Sequence, residues 1–101
     1  MEETKVMKTT YVLQVPINVT SYEEIIAEIQ KKIKQKQKYS IISINLNKII
    51  LANEKSEMMP VIQSFDCFIP DGISVVRANK ELKERITGVD LFQKICEDIF
   101  Y

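Results

Sequence analysis

The chain has 101 residues, room for one domain, because independent domains cluster at roughly 100–150 residues and smaller ones bury too little surface to be robust. Fourteen Lys plus Arg balance fourteen Asp plus Glu, so the basic excess of a general nucleic-acid binder is missing, and 46% hydrophobic with 28% charged residues is an ordinary globular composition. Histidine is absent, which excludes a Ser-His-Asp triad, a Cys-His pair and any His-ligated zinc site within this chain and leaves acid–base work to Asp, Glu, Lys, Tyr or Cys.

Residues Met1 to Thr9 are polar and read as loose. The amino terminus is acidic with no apolar leader, and no apolar run approaches the roughly 18 residues that span a bilayer, so the expected location is the cytoplasm. Thr10 to Val15 is β-branched and aromatic enough for a short strand, which Pro16 is expected to end. Thr20 or Ser21 followed by Glu23 or Glu24 forms a capping box, and a helix is expected from Tyr22 to Gln37 with Ile25, Ile26, Ile29 and Ile33 on its buried face. Tyr39 to Asn45 reads as a buried strand. A helix then runs from Asn47 through Glu57, broken at Pro60 and restarting as Val61 to Ser64.

Phe65 to Ile69 is the third strand, closed by Pro70-Asp71-Gly72, and Ile73, Val75, Val76, Ala78 and Leu82 open another helical pattern. After a loop at Arg85 to Gly88, Leu91, Phe92, Ile95, Cys96, Ile99 and Phe100 trace a last apolar helical face that reaches Tyr101 without a stop signal, as expected of a truncated chain. Strands alternating with helices define an α/β fold with a mostly parallel sheet and flanking helices, Rossmann-like in arrangement. Cys67 and Cys96 stand in apolar segments far apart, which suggests buried thiols rather than a disulfide framework or metal site.

In such a sheet ligands bind beyond the carboxyl ends of the strands. Ser43 and Asn45 end the second strand, and Asp71 with Gly72 ends the third. Each also suits a purely structural role, as a strand-exit or helix cap and a tight turn. Arg77, inside a helix, reads as a surface residue. Arg85 precedes a helix start, where a guanidinium and backbone N–H groups can meet a phosphate together. Five lysines within Lys31 to Lys38 complement the dipole at a helix C-terminus. Asn18-Val19-Thr20 matches a glycosylation sequon that a chain without a leader would not present to that machinery.

Ser43-Ile44-Asn45, then Phe65-Asp66-Cys67-Phe68-Ile69-Pro70-Asp71-Gly72, then Glu84-Arg85-Ile86-Thr87-Gly88-Val89-Asp90-Leu91 stand in an order that resembles the WecG/TagA/CpsF family of bacterial glycosyltransferases. Val15 to Thr20 is similar to that family's opening strand and turn. The resemblance implies the N-terminal part of a single glycosyltransferase domain over residues 1–101. It implies transfer of N-acetylmannosamine or a related sugar from a UDP donor to an undecaprenyl-diphosphate-linked acceptor, in teichoic acid, common antigen or capsule biosynthesis. Asp71 then matches the base that deprotonates the acceptor hydroxyl, Ser43, Asn45 and Gly72 match the substrate pocket, and Arg85 matches a phosphate-binding arginine. The family also implies peripheral contact with the inner face of the plasma membrane.

Three departures accompany the likeness. Ser43 replaces a Thr, the interval from Asp71 to Arg85 is about four residues short, and the family's later strands are expected to be missing from a chain truncated at Tyr101. No metal or cofactor is expected. Two other function classes compete with the transferase. An inactive fragment would serve as a binding or assembly module, with Leu91, Ile95 and Ile99 exposed for self-association into a homo-oligomer. A generic nucleotide-binding module is disfavoured by the lack of a GxGxxG or P-loop segment.

Overall fold

The computed structural model describes residues 7–100. Of the segment expected to be loose, residues 1–6 lie outside that range, whereas Lys8 and Thr9 already belong to the first strand. The elements are β1 (Lys8–Val12), β2 (Val15–Val19), α1 (Tyr22–Lys34), β3 (Ile41–Ile44), α2 (Leu46–Glu54), α3 (Met58–Gln63), β4 (Cys67–Pro70), α4 (Ile73–Ala78) and α5 (Gly88–Ile99).

The opening of the chain differs from the single strand expected there. β1 and β2 form an antiparallel hairpin in which Val12 pairs with Val15 and Tyr11 with Pro16. Leu13 and Gln14 between them take φ values of 47° and 72°, the left-handed pair of a tight hairpin turn. Pro16 continues the strand because it sits one pair beyond the turn, where backbone N–H groups point away from the partner and its missing donor breaks no bond to β1.

α1 begins where the capping signal places it, with Ser21 Oγ accepting the Glu24 N–H at 3.2 Å. It ends three residues earlier than expected, at Lys34. Lys36 has φ 58°, and the amides of Gln37 and Lys36 return to the carbonyls of Lys32 and Ile33, a Schellman closure made without glycine. α2 is capped by Asn45 and stops at Glu54. The break therefore falls before Pro60, which lies in the first turn of α3, where a missing N–H costs nothing. α4 covers only Ile73–Ala78, with Leu82 buried in the linker beyond it.

The expectation of one mostly parallel sheet is corrected to two sheets of two strands. β3 and β4 are parallel, with Ile41 opposite Cys67 and Ile44 opposite Pro70. β2 lies along β4 but joins it through a side chain, since the Phe68 N–H donates to Asn18 Oδ1 at 2.7 Å while Asn18 Nδ2 donates to Thr9 Oγ1. Asn18 is buried, and its side chain is committed to this bridge rather than offered at the surface as a sequon.

Side chains alternate across the parallel pair. Ile42, Ile44 and Phe68 face a core with Val15, Ile17, Ile49, Ala52, Ile62, Val75 and Leu82. Ile41, Cys67 and Ile69 face a second core with Ile25, Ile26, Ile86 and Leu91. The pair is thus a middle layer between α2, α3, α4 and the hairpin on one face and α1 and α5 on the other. Each fully buried isoleucine contributes about 1.5–3 kcal/mol relative to an exposed one.

On α5 the expectation of exposed Leu91, Ile95 and Ile99 is reversed. Leu91 is buried, and Ile95 and Ile99 pack against the second core. Val89, Phe92 and Phe100 are the exposed ones, at 79%, 67% and 70%. Cys67 is buried as expected, whereas Cys96 is only half-buried; both are free thiols. Among the described residues no helix is long and apolar enough to cross a membrane.

Candidate active site

β3 and β4 enter their far ends in register, and this sets the first wall of the site. Ser40 and Asp66 lock the entry: Asp66 Oδ2 accepts from the Ser40 N–H at 2.9 Å and from Ser40 Oγ at 3.0 Å. At the exit, the Asp71 N–H donates to the Ile44 carbonyl at 3.0 Å, so Asp71 leaves the sheet directly beside the end of β3. Gly72 follows with φ 139°, a conformation that L side chains rarely adopt. The chain turns there into α4, leaving Asp71 at the mouth.

The second wall is Arg85 to Asp90. Ile86 is fully buried, and its N–H donates to the Pro70 carbonyl at 3.0 Å. This bond lays the segment alongside the end of β4. Thr87 caps α5 by accepting the Asp90 N–H at 3.1 Å. Thr87 also donates its own N–H to the Tyr22 hydroxyl at 3.1 Å. Gly88 comes so near Ser43 that a Cβ there would lie 3.4 Å from Ser43 Oγ.

Between the walls is an open cleft of about 620 Å³ lined by Asp71, Arg85, Thr87, Gly88, Val89 and Asp90. Among the described residues neither the Asp71 carboxylate nor the Arg85 guanidinium has an ion-pair partner within 4.0 Å. A carboxylate and a guanidinium therefore face one solvent-open space without neutralising each other, an arrangement with room for a hydrogen-bond donor at one side and an anion at the other.

Of the five residues singled out in the sequence, Asp71 and Arg85 line the cleft, and Ser43 does not line it but lies behind Gly88, which does. Gly72 shapes the turn without lining the cleft. Asn45 is not among the lining residues either, and its Oδ1 accepts the Lys48 N–H at 2.9 Å as the cap of α2. Arg77 is exposed, as expected. Thr87, Gly88, Val89 and Asp90 also line the cleft and are not among the sequence candidates. Their signal was present, since Thr87-Gly88-Val89-Asp90 is a Ser/Thr-x-x-acid cap that fixes where α5 starts. Tyr22 carries no such signal, because only the tertiary fold brings it to Thr87.

Below Asp71 on β4, burial pushes the Cys67 thiol up to about 11 from its ordinary 9.0. Burial, reinforced by Cys67, also raises the Tyr39 phenol well above its usual value. Both stay protonated near neutrality, so Cys67 is a packing group here rather than a nucleophile. Among the described residues no group of three or more Cys, Asp or Glu side chains gathers to hold a metal.

The protein is α/β, and its cleft lies at the carboxyl ends of the two parallel strands, where such sheets place ligands. The family model of the glycosyl transferase WecG/TagA/CpsF family matches residues 10–99, and the chain belongs to that family. No curated protein matches the chain.

Proposed function

We propose that the chain forms the acceptor-activating and diphosphate-binding part of a transferase that moves N-acetylmannosamine or a related sugar from a UDP donor to an undecaprenyl-diphosphate-linked acceptor. The supporting observation is the shared cleft. Asp71 and Arg85, fourteen positions apart in sequence, line one space with neither side chain committed elsewhere. In this reading Asp71 takes the proton from the acceptor hydroxyl as its oxygen attacks the anomeric carbon. The bond from that carbon to the UDP oxygen breaks, and Arg85 with Gly88 and Val89 N–H groups at the start of α5 receives the departing diphosphate charge. Ser43 and Asn45 hold the sugar or acceptor hydroxyls, Asn45 through its Nδ2, since Oδ1 caps α2. Gly72 keeps Asp71 at the mouth, and the N-terminal part of a single catalytic domain is the unit concerned.

The test is a transfer assay with UDP-N-acetylmannosamine and a polyprenyl-diphosphate-linked acceptor. Asp71→Asn is expected to cut turnover by about 10²–10⁴-fold, the range that a positioned general base supplies, while UDP still binds. Unchanged turnover in that variant contradicts the assignment.

A second reading, a binding or assembly module in place of a transferase, draws on the exposed apolar side chains Val89 and Phe92 of α5 and Phe100 just past it. Light scattering during size-exclusion chromatography tests it: a concentration-dependent dimer that Phe92→Ser dissolves supports the module, and a monomer at high concentration rejects it.

A further inference from the structure

Tyr22 stands outside the cleft. It is the first residue of α1, half-buried against the second core, and it reaches the site through one atom. Its hydroxyl accepts the Thr87 N–H at 3.1 Å. Lys94 of α5 lies over the same ring, with Nζ 5.8 Å from the centroid, a cation–π distance. One side chain of α1 therefore engages both the cap and the second turn of α5.

The position of that contact is what gives it consequence. Thr87 lies two residues after Arg85 and one before Gly88, and each neighbour is restrained by something different. Ile86 is fixed by burial and by the Pro70 carbonyl, Gly88 by its place as the first residue of α5, and Thr87 by Tyr22. Without the phenol, the half-buried Thr87 N–H loses its partner, and the segment from Arg85 to α5 keeps only the Ile86 anchor and the α5 cap as restraints. Reacting groups tolerate little of this, because a displacement of about 1 Å costs up to about 10²-fold when geometry supplies the rate.

We propose that Tyr22 is a positioning residue of the cleft: by holding the Thr87 amide, its hydroxyl sets where the Arg85 guanidinium and the first turn of α5 stand relative to Asp71, and so sets diphosphate affinity without touching the ligand. The ligand in this statement rests on the function proposed above; the restraint on Thr87 does not.

Two measurements on the purified protein separate these parts. In calorimetric titration with UDP, Tyr22→Phe is expected to weaken binding by about tenfold, the ratio that one hydrogen bond of ordinary net strength commands. Lys94→Met, which removes the cation but keeps the hydroxyl, is expected to change it by less than about threefold, because the cation lies 5.8 Å from the ring centroid, near the outer limit of a cation–π contact. In an Arg85→Ala background Tyr22→Phe is expected to cost less than it does in the parent, because one of the groups it positions is gone and only the first turn of α5 remains. In amide exchange by NMR, Tyr22→Phe is expected to speed Thr87 by about tenfold while Cys67 to Ile69 stay as in the parent. Equal Thr87 exchange in parent and Tyr22→Phe, or additive losses of UDP affinity in the double variant, overturns the proposal. A parent that does not bind UDP overturns the ligand assignment alone, and the Thr87 exchange ratio then decides whether Tyr22 holds the arm.

Discussion

The two walls of the cleft are held by different means. The Asp71 wall is set by backbone: parallel register, the bond from the Asp71 N–H to the Ile44 carbonyl, and the turn at Gly72. The Arg85 wall is set by side chains that arrive from elsewhere, with Ile86 inserted into the second core and Thr87 held by Tyr22. A wall built on ladder geometry tolerates changes in side chains but not in φ, whereas a wall hung on side chains responds to each of them.

The largest effect that would break this contrast concerns Ile86. Ile86→Ala removes a fully buried side chain and is expected to cost about 2–5 kcal/mol, read as a lower urea midpoint. If it costs under about 0.5 kcal/mol, the range of an ordinary surface change, the Arg85 wall does not hang on that anchor.

A second effect lies beneath the Asp71 wall. Burial raises the Cys67 pKa from 9.0 to about 11, so above pH 9 the unfolded chain releases its thiol proton before the folded one does, and rising pH favours unfolding. The loss begins near pH 9 and is complete once the folded thiol also ionises near pH 11, reaching at most about 2.7 kcal/mol at 1.36 kcal/mol for each unit. The raised Tyr39 phenol acts in the same direction at higher pH. Urea titrations at pH 7, 9 and 11 check this, and Cys67→Ala is expected to flatten the profile between pH 7 and 10.

Gly72→Ala sharpens the comparison further. An added Cβ meets nothing within 4 Å, so its cost of about 1–3 kcal/mol is conformational alone. The amide shifts of Asp71 are expected to move while those of Thr87 do not; equal movement of both would show the walls to be one unit. The smallest expected effect is at the α2 cap, where Asn45→Ala is expected to cost about 1 kcal/mol and Asn45→Ser only part of it.

Legibility in the sequence followed the range of the interactions. Helix starts written in local chemistry were readable, as at Ser21 and at the Asp71-Gly72 turn, and so was the strand-helix alternation that makes the fold α/β. The hairpin was not, because Leu13 and Gln14 carry no Asn-Gly or Asp-Gly signal for their left-handed turn, and Pro16 reads as a strand end unless its register is known. Apolar spacing on α5 identified a helix but not which edge of its apolar arc is covered; Leu91 faces the core while Val89 and Phe92 face outward. Motif order marked Asp71 and Arg85 as candidates, and the structure brings them to one cleft, whereas Asn18 and Tyr22 act at Phe68 and Thr87, fifty and sixty-five positions away. No local pattern encodes such contacts.

The central claim, that Arg85 and Asp71 serve one ligand in separate roles, is tested most directly by calorimetric titration of UDP-N-acetylmannosamine into the parent, Arg85→Ala and Asp71→Asn proteins. Saturable binding to the parent is expected, with affinity lower by at least about tenfold in Arg85→Ala, as the loss of a charge-assisted hydrogen bond implies, and near-parent affinity in Asp71→Asn. Arg85→Ala binding as tightly as the parent would contradict the claim.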